Sequence, residues 1–282
     1  MIIWFVFKVE EKAIIPFVSG KDLMAKSGNF NQIIIHQSWK THVIPRGLFL
    51  DNFIKWGKYH PNAIHVLWSD QENEILVKNF YPEFYFTFTS KILNPVQKSD
   101  IARLLYLHKF GGLYADLDYE PFTNVFETLG GGGEEMYVIQ SPVLLNEVMQ
   151  NSLMISKRPG QQFWYNVVKT IVNIVNYLEN IDGCQFGCGD LALFHNVFTQ
   201  QLATMVKTTS ITGPSVLDKT FVLYPGTKIG LLPVEKYFAG SLAKHHHASV
   251  WVNIPWAIKE IISGFVVVLC LWTWVIYWCF KK

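Results

Sequence analysis

Residues 100–118 read DIARLLYLHKFGGLYADLD. The first half closes a helix that starts at Asn94, with Pro95 near its beginning and Ile101, Leu104, Leu105 and His108 on one face. Gly111-Gly112 ends that helix and lets the backbone turn sharply. Leu113–Leu117 then reads as a short apolar strand. Asp116 and Asp118 close it two residues apart, so strand alternation would carry both carboxylates to one side. That side is the mouth of an α/β sheet, where ligands usually bind. Two hard oxygen ligands there suit Mg2+ or Mn2+. A bare D-x-D is more often a solvated turn. These two acids emerge directly from a core strand, and burying them is costly unless a cation compensates.

Asp100 and Arg103 lie three apart on the preceding helix and share a face. They form either an intrahelical ion pair of a few tenths of a kcal/mol or a ligand-binding pair. In the second case Arg103 contacts phosphate or sugar oxygens, and Asp100 accepts hydrogen bonds from sugar hydroxyls.

Working outward, Ile33–Ile35 and Ala63–Trp68 read as buried strands, and Arg46–Lys58 as a helix before the Pro61-Asn62 turn. Asp70 is placed to cap a further helix. Phe163–Leu178 is amphipathic. Ser210–Phe238 reads as short strands with turns at Gly213-Pro214, Pro225-Gly226 and Pro233. Gly130–Gly133 reads as a connector. Alternating strands and helices imply an α/β domain with a largely parallel sheet. The chain divides into an apolar, irregular segment 1–31, a catalytic domain 32–256, and a C-terminal segment 257–282. His36 and Trp68 read as core residues. Glu120 and Glu127 read as structural or exposed, and Asp190 has no local support.

The 282 residues carry a net charge of +2 with scattered Lys and Arg, so no basic stripe marks a nucleic-acid partner. The four cysteines make no disulfide framework: Cys184 and Cys188 form a lone pair, and Cys270 and Cys279 lie in an apolar run. That run, Ile261–Phe280, is uncharged and long enough to span a bilayer as a helix. Trp272, Trp274, Tyr277 and Trp278 fall partly where an aromatic belt would lie, and Lys281 and Lys282 follow. The lysines favour a cytosolic tail and a lumenal catalytic side; the absence of an N-x-S/T sequon leans toward the cytosol.

The segment from Ser99 to Asp118 resembles the signature of the family 32 DXD-sugar glycosyltransferases, which include inositol phosphorylceramide mannosyltransferases. The spacing of Asp100, Arg103, Asp116 and Asp118 is also similar to that in clostridial glucosylating toxins. IIIHQSWK at 33–40, Leu67-Trp68-Ser69-Asp70, Asn151–Ser156 and Thr212-Gly213-Pro214 resemble further family blocks, so the likeness runs from Ile33 to Trp251. It implies a GT-A-like, Rossmann-type domain and retention of anomeric configuration. The donor is then a nucleotide sugar, GDP-mannose or a UDP-hexose, bound with Mn2+ or Mg2+. Trp39, Asp100, Arg103 and Asp116 would meet the donor. Asp116, Asp118 and a histidine would hold the metal. The family places that histidine near a Ser-Trp pair, but this chain reads HHHASVW from 245 to 251, which splits the pair. His246 is the expected ligand, with His245 and His247 open. A membrane glycolipid acceptor such as inositol phosphorylceramide, and a Golgi membrane, follow from the same resemblance. A catalytically inactive nucleotide-sugar-binding module and a metal-dependent phosphohydrolase are the rival classes. The second lacks a matching H-x-D or D-x-D-x-T arrangement.

Overall fold

A computed structural model of the chain describes residues 17–26, 32–129, 133–141, 149–182, 211–238 and 240–246. The connector glycines 130–132, Cys184, Cys188, Asp190, His247, Ser249, Trp251 and the apolar run Ile261–Phe280 lie outside them. Among the described residues no helix is long and apolar enough to cross a membrane.

The fold is a mixed α/β sheet flanked by helices. Its first half is parallel: β1 (Val18–Ser19), β2 (Ile34–Ser38), β3 (Ile64–Trp68) and β4 (Gly112–Ala115) stand in the order β1-β3-β2-β4. The crossovers carry α1 (Gly20–Ala25), α2 (Leu48–Tyr59), α3 (Asp70–Phe80), α4 (Pro82–Phe86) and α5 (Pro95–Phe110). Beyond β4 lie a short β5 (Tyr119–Pro121), α6 (Val125–Thr128), β6 (Met136–Gln140) and β7 (Met149–Ser156). Then come α7 (Gln162–Asp182), α8 (Pro214–Leu223), β8 (Gly230–Leu232), α9 (Val234–Tyr237) and β9 (Ala243–His245). β7 runs antiparallel to both β4 and β6, and β8 returns parallel to β6. The sheet is therefore mixed, with a parallel half, where the sequence implied a largely parallel one. β5 and β9 form a separate antiparallel ribbon.

Several local expectations change. The patternless N-terminal segment supplies an edge strand, β1, pairing with Val66 and Leu67. Asp70 does not cap α3; Ser69 does, in a capping box with Glu72, and Asp70 is the first helical residue. Gly213-Pro214 starts a helix rather than a turn, because proline fits the first helical position, where no backbone N–H is needed. Within Ser210–Phe238 only β8 is a strand. α5 buries more than one face: Asp100 to Leu107 are all buried, because the helix lies between the sheet and helices α3 and α7. A helix enclosed in this way buries residues all round, here including the charged Asp100 and Arg103.

The α5–β4 reversal needs both glycines. Gly111 has φ +67° and Gly112 φ +93°. A side chain at Gly112 would collide with the Ile34 carbonyl oxygen on β2. His36 closes this corner as a core residue. Its Nε2 donates to the Gly111 carbonyl (2.9 Å), and its Nδ1 accepts from Trp68 Nε1 (3.1 Å). Those two bonds require the neutral Nε2–H tautomer, and burial holds its pKa down at about 4.

Candidate active site

α5 packs against the sheet and leads through the diglycine into β4, so its N-terminal half returns to the end of the sheet where β4 finishes. Asp100 and Arg103 lie there, and both are buried. Asp100 accepts from Asn151 Nδ2 (3.0 Å) and Thr212 Oγ1 (2.9 Å) and pairs with Arg103 Nη2 (3.2 Å). Arg103 Nη1 donates to the Asn151 carbonyl (3.0 Å) and faces Asp116 Oδ1 (3.3 Å). The guanidinium lies 4.6 Å from the centre of the Tyr114 ring. Tyr114 donates its hydroxyl to the same Asp116 oxygen (2.7 Å). The helical i,i+3 pair is present, but as the centre of a buried network spanning α5, β4, β7 and the start of α8.

Burial pushes the Asp100 carboxyl up to about 6, against the pull of Arg103 and the Thr212 and Asn151 hydrogen bonds. Asp116 is raised too, first by burial and then by the charge of Asp118, with Arg103 opposing.

β4 stops at Ala115. Asp116, Leu117 and Asp118 form a turn, closed by Tyr119 N–H donating to the Asp116 carbonyl (3.0 Å). The two carboxylates do converge, but through that turn rather than strand alternation. The histidine beside them is His245. One ligand atom each from Asp116, Asp118 and His245 lie within 4.8 Å of one another. His245 Nε2 is 3.2 Å from Asp118 Oδ1 and 4.0 Å from Asp116 Oδ2. β9 pairs His245 with Tyr119. Adjacent strand residues point to opposite sides, so His246 faces away and bonds Glu120 Oε2 (2.7 Å) instead. The ligand expected from the sequence is His246; of the two described histidines in that run, His245 is the one that stands beside the aspartates. Burial alone would lower the His245 pKa, but the hydrogen bond and charge of Asp118 outweigh it and raise the value. Glu120 also accepts from Lys55.

Trp39 follows β2, where its backbone N–H donates to the Trp68 carbonyl (3.0 Å). Its ring lies 5.2 Å from that of Phe49 and packs on the cluster of Phe53, Leu67 and Leu117. Leu117 separates the two aspartates, so Trp39 borders the acidic turn. Trp68 is core, stacked on Tyr106 at 4.3 Å. Two contributors escaped the sequence reading as site residues. Tyr114 looked like a core strand residue. Thr212, noted only as part of a family block, reaches Asp100 across 112 positions, a distance that no local pattern reports.

The donor set fits a hard or borderline divalent ion. Two carboxylates and one imidazole suit Mn2+ or Mg2+. Ligands on one ion at roughly 2.1 Å stand up to ~4.2 Å apart, so the observed spread needs only a small contraction.

Residues 48–135 match the family described as "Glycosyltransferase sugar-binding region containing DXD motif". Mannosyl phosphorylinositol ceramide synthase CSH1 of Saccharomyces cerevisiae is 36% identical over 85 residues, 30% of this chain and 22% of that protein. Inositol phosphoceramide mannosyltransferase 3 of Schizosaccharomyces pombe is 35% identical over 92 residues, 30% of this chain and 23% of that protein. The chain thus spans under a quarter of the length of these curated relatives. Among solved structures, the catalytic domain of alpha-toxin from Clostridium novyi aligns at 12% identity with a TM-score of 0.46, covering 83% of this chain and 82% of that one.

Proposed function

We propose that this chain is a metal-dependent, retaining glycosyltransferase with a GT-A-like domain. It moves a hexose, mannose or galactose, from a nucleotide-sugar donor to a hydroxyl of a membrane glycolipid such as inositol phosphorylceramide. The observation that carries the proposal is one continuous network. Asp100 and Arg103 connect through the shared Asp116 to the Asp116, Asp118 and His245 cluster. The mannosyltransferase names of the curated relatives support the hexose and the lipid acceptor.

Breaking a sugar–phosphate bond builds positive charge at the anomeric carbon and negative charge on the departing diphosphate. Asp116, Asp118 and His245 would hold a Mn2+ or Mg2+ ion, which when bound supplies positive charge to that leaving group. Arg103 adds a second, fixed positive charge. Its Nε is buried with no hydrogen-bond acceptor among the described residues, a donor that a phosphate or sugar oxygen would satisfy. Asp100 and Asn151 orient sugar hydroxyls and reduce the entropy cost of alignment. Trp39 borders the turn on the side where a nucleotide base would stack. Retention fits front-face displacement, with the acceptor proton leaving to the diphosphate, because no further carboxylate in the network serves as a covalent nucleophile. The apolar run Ile261–Phe280 supports attachment to a membrane, Lys281 and Lys282 support a lumenal catalytic side, and the names of the relatives are consistent with a Golgi location.

The test is donor hydrolysis by the purified chain across GDP-mannose, UDP-galactose and UDP-glucose, with Mn2+ or EDTA. Cleavage of one donor that requires the metal and falls at least 100-fold in Asp118→Ala is expected. Cleavage unaffected by EDTA and by that substitution would refute the metal role. Failure to bind any donor would favour the inactive-module reading.

A further inference from the structure

The acidic turn must hold two carboxylates close together, although each repels the other and both lose hydration. What holds its backbone lies largely outside the turn. The Asp116 N–H donates to the Ser152 carbonyl on β7 (2.9 Å). The four carbonyls from residue 116 to residue 119 are each engaged. The Asp116 carbonyl takes Tyr119 N–H (3.0 Å) and Gln37 Nε2 (3.4 Å). The Leu117 carbonyl accepts from Asn52 Nδ2 (3.2 Å), the Asp118 carbonyl from His246 N–H (3.0 Å), and the Tyr119 carbonyl from Trp56 Nε1 (2.8 Å).

Two of these donors, Asn52 and Trp56, come from α2 at i and i+4. They lie on one face, about 6 Å apart along the helix axis. The carbonyls they meet, of Leu117 and Tyr119, flank Asp118, one inside the turn and one just past it. One face of α2 thus holds the chain on both sides of that aspartate. Both side chains are buried, Asn52 with 1% exposure and Trp56 with none. A third α2 residue, Lys55, pairs with Glu120 just beyond the turn. Backbone carbonyls are themselves hard oxygen ligands. Each of the four carbonyls is held by a hydrogen bond, which fixes the backbone from which the two carboxylates project.

We propose that Asn52 and Trp56 are positioning residues, by which α2 preorganises the Asp116–Asp118 turn for a divalent cation. The inference rests on the metal reading of that turn, so its test has one arm that needs no metal. Asn52→Leu keeps the branching at Cγ, with bulkier ends, and removes the donor; Trp56→Phe keeps an aromatic ring and removes Nε1–H. In metal-free protein, amide hydrogen exchange across residues 113–121 should accelerate at least 10-fold in each variant, while the rest of the sheet stays protected. Mn2+ affinity, read by the loss of the free-ion electron paramagnetic resonance signal, should fall 10- to 100-fold, the range found when ligand-supporting residues are removed. A merely structural role would lower the melting temperature and leave Mn2+ affinity within twofold; that outcome overturns the proposal. So does unchanged exchange. If Asn52→Leu does not fold, Trp56→Phe decides alone. Should the unsubstituted chain bind no Mn2+, the metal reading fails, and the exchange arm still decides whether α2 orders the turn.

Discussion

Replacing Arg103 with methionine removes the one guanidinium shared by the buried Asp100, at 3.2 Å, and the partly buried Asp116, at 3.3 Å. The methionine stem keeps contact with the Tyr114 ring, so the loss is mainly charge. Breaking a buried pair by deleting one partner costs about 3–5 kcal/mol, because the survivor stays buried and uncompensated. For a domain of this size that is a fall of roughly 6–20 °C in melting temperature. The carboxylates have an escape, which is to take up protons. With Arg103 present the Asp100 pKa is about 6; without it the value rises further. A raised carboxyl pKa favours the folded state at low pH and loses that contribution as pH climbs through the folded value. Native protein and variant both carry a protonated Asp100 below pH 6, so the variant's deficit should be small there and grow above it. Thermal unfolding of the 282-residue chain in mild detergent, followed by tryptophan fluorescence at pH 5.5 and pH 8, measures both quantities. A deficit below about 1 kcal/mol at pH 8 would refute the reasoning. So would an equal deficit at the two pH values, since only the charge contribution titrates. Arg103→Lys should recover much of the pH 8 loss, but not the bond to the Asn151 carbonyl.

Two further outcomes follow from the same geometry. Gly47 and Gly112 both have strongly positive φ, +87° and +93°. Of the two, only Gly112 lacks room for a side chain, so Gly47→Ala should cost about 1–3 kcal/mol of backbone strain and Gly112→Ala clearly more, and equal losses in urea unfolding would contradict the packing at Ile34. His36, fully buried and neutral with a pKa near 4, stabilises the fold above pH 6.5, and that contribution is lost as pH falls from 6.5 toward 4. It amounts to about 3 kcal/mol. Asp100 acts in the opposite sense below pH 6, so the comparison to make is the slope of stability between pH 7 and pH 4.5 in the native chain and in His36→Gln, which should be shallower.

The parts of this fold that local chemistry dictates were legible in the sequence. The diglycine reversal, the buried strands and the Asp100, Arg103, Asp116, Asp118 spacing all report on neighbours within a few residues. The errors have physical causes. Proline fixes φ near −65° both at the second position of a turn and at the first position of a helix, so Gly213-Pro214 alone could not distinguish α8 from a turn. The aspartates looked like the end of a strand because Leu113, Tyr114, Ala115 and Leu117 are apolar on both sides of Asp116. Leu117 is apolar for another reason: it packs on Phe53 and Leu67 from within the turn. The choice among three histidines depends on the register of β9 against β5, and no residue of the His245–His247 run encodes it. It is set across the molecule, by Tyr119 opposite His245 and by Glu120, which receives His246.

Charge counting explains why the two halves of the site differ. In the Asp100 half the groups are matched: both oxygens of Asp100 accept hydrogen bonds, and Arg103 lies against it. In the other half, Asp116 shares that same Arg103, and Asp118 has His245 as its close partner at 3.2 Å. Among the described residues, three carboxylates crowd around one guanidinium and one imidazole. Crowded, partly desolvated carboxylates are ordinarily stabilised by protons, by positive side chains or by a cation. The raised pKa values of Asp100, Asp116 and His245 are the protein's response in protons alone. On the proposed reading, a divalent ion between Asp116, Asp118 and His245 would offset the negative charge of Asp116 that raises the Asp100 carboxyl, and so would favour the ionised form of Asp100. This predicts that Mn2+ lowers the apparent pKa of Asp100. That shift can be followed in the carboxylate region of an infrared difference spectrum against Asp100→Asn, and an unshifted value would sink the argument.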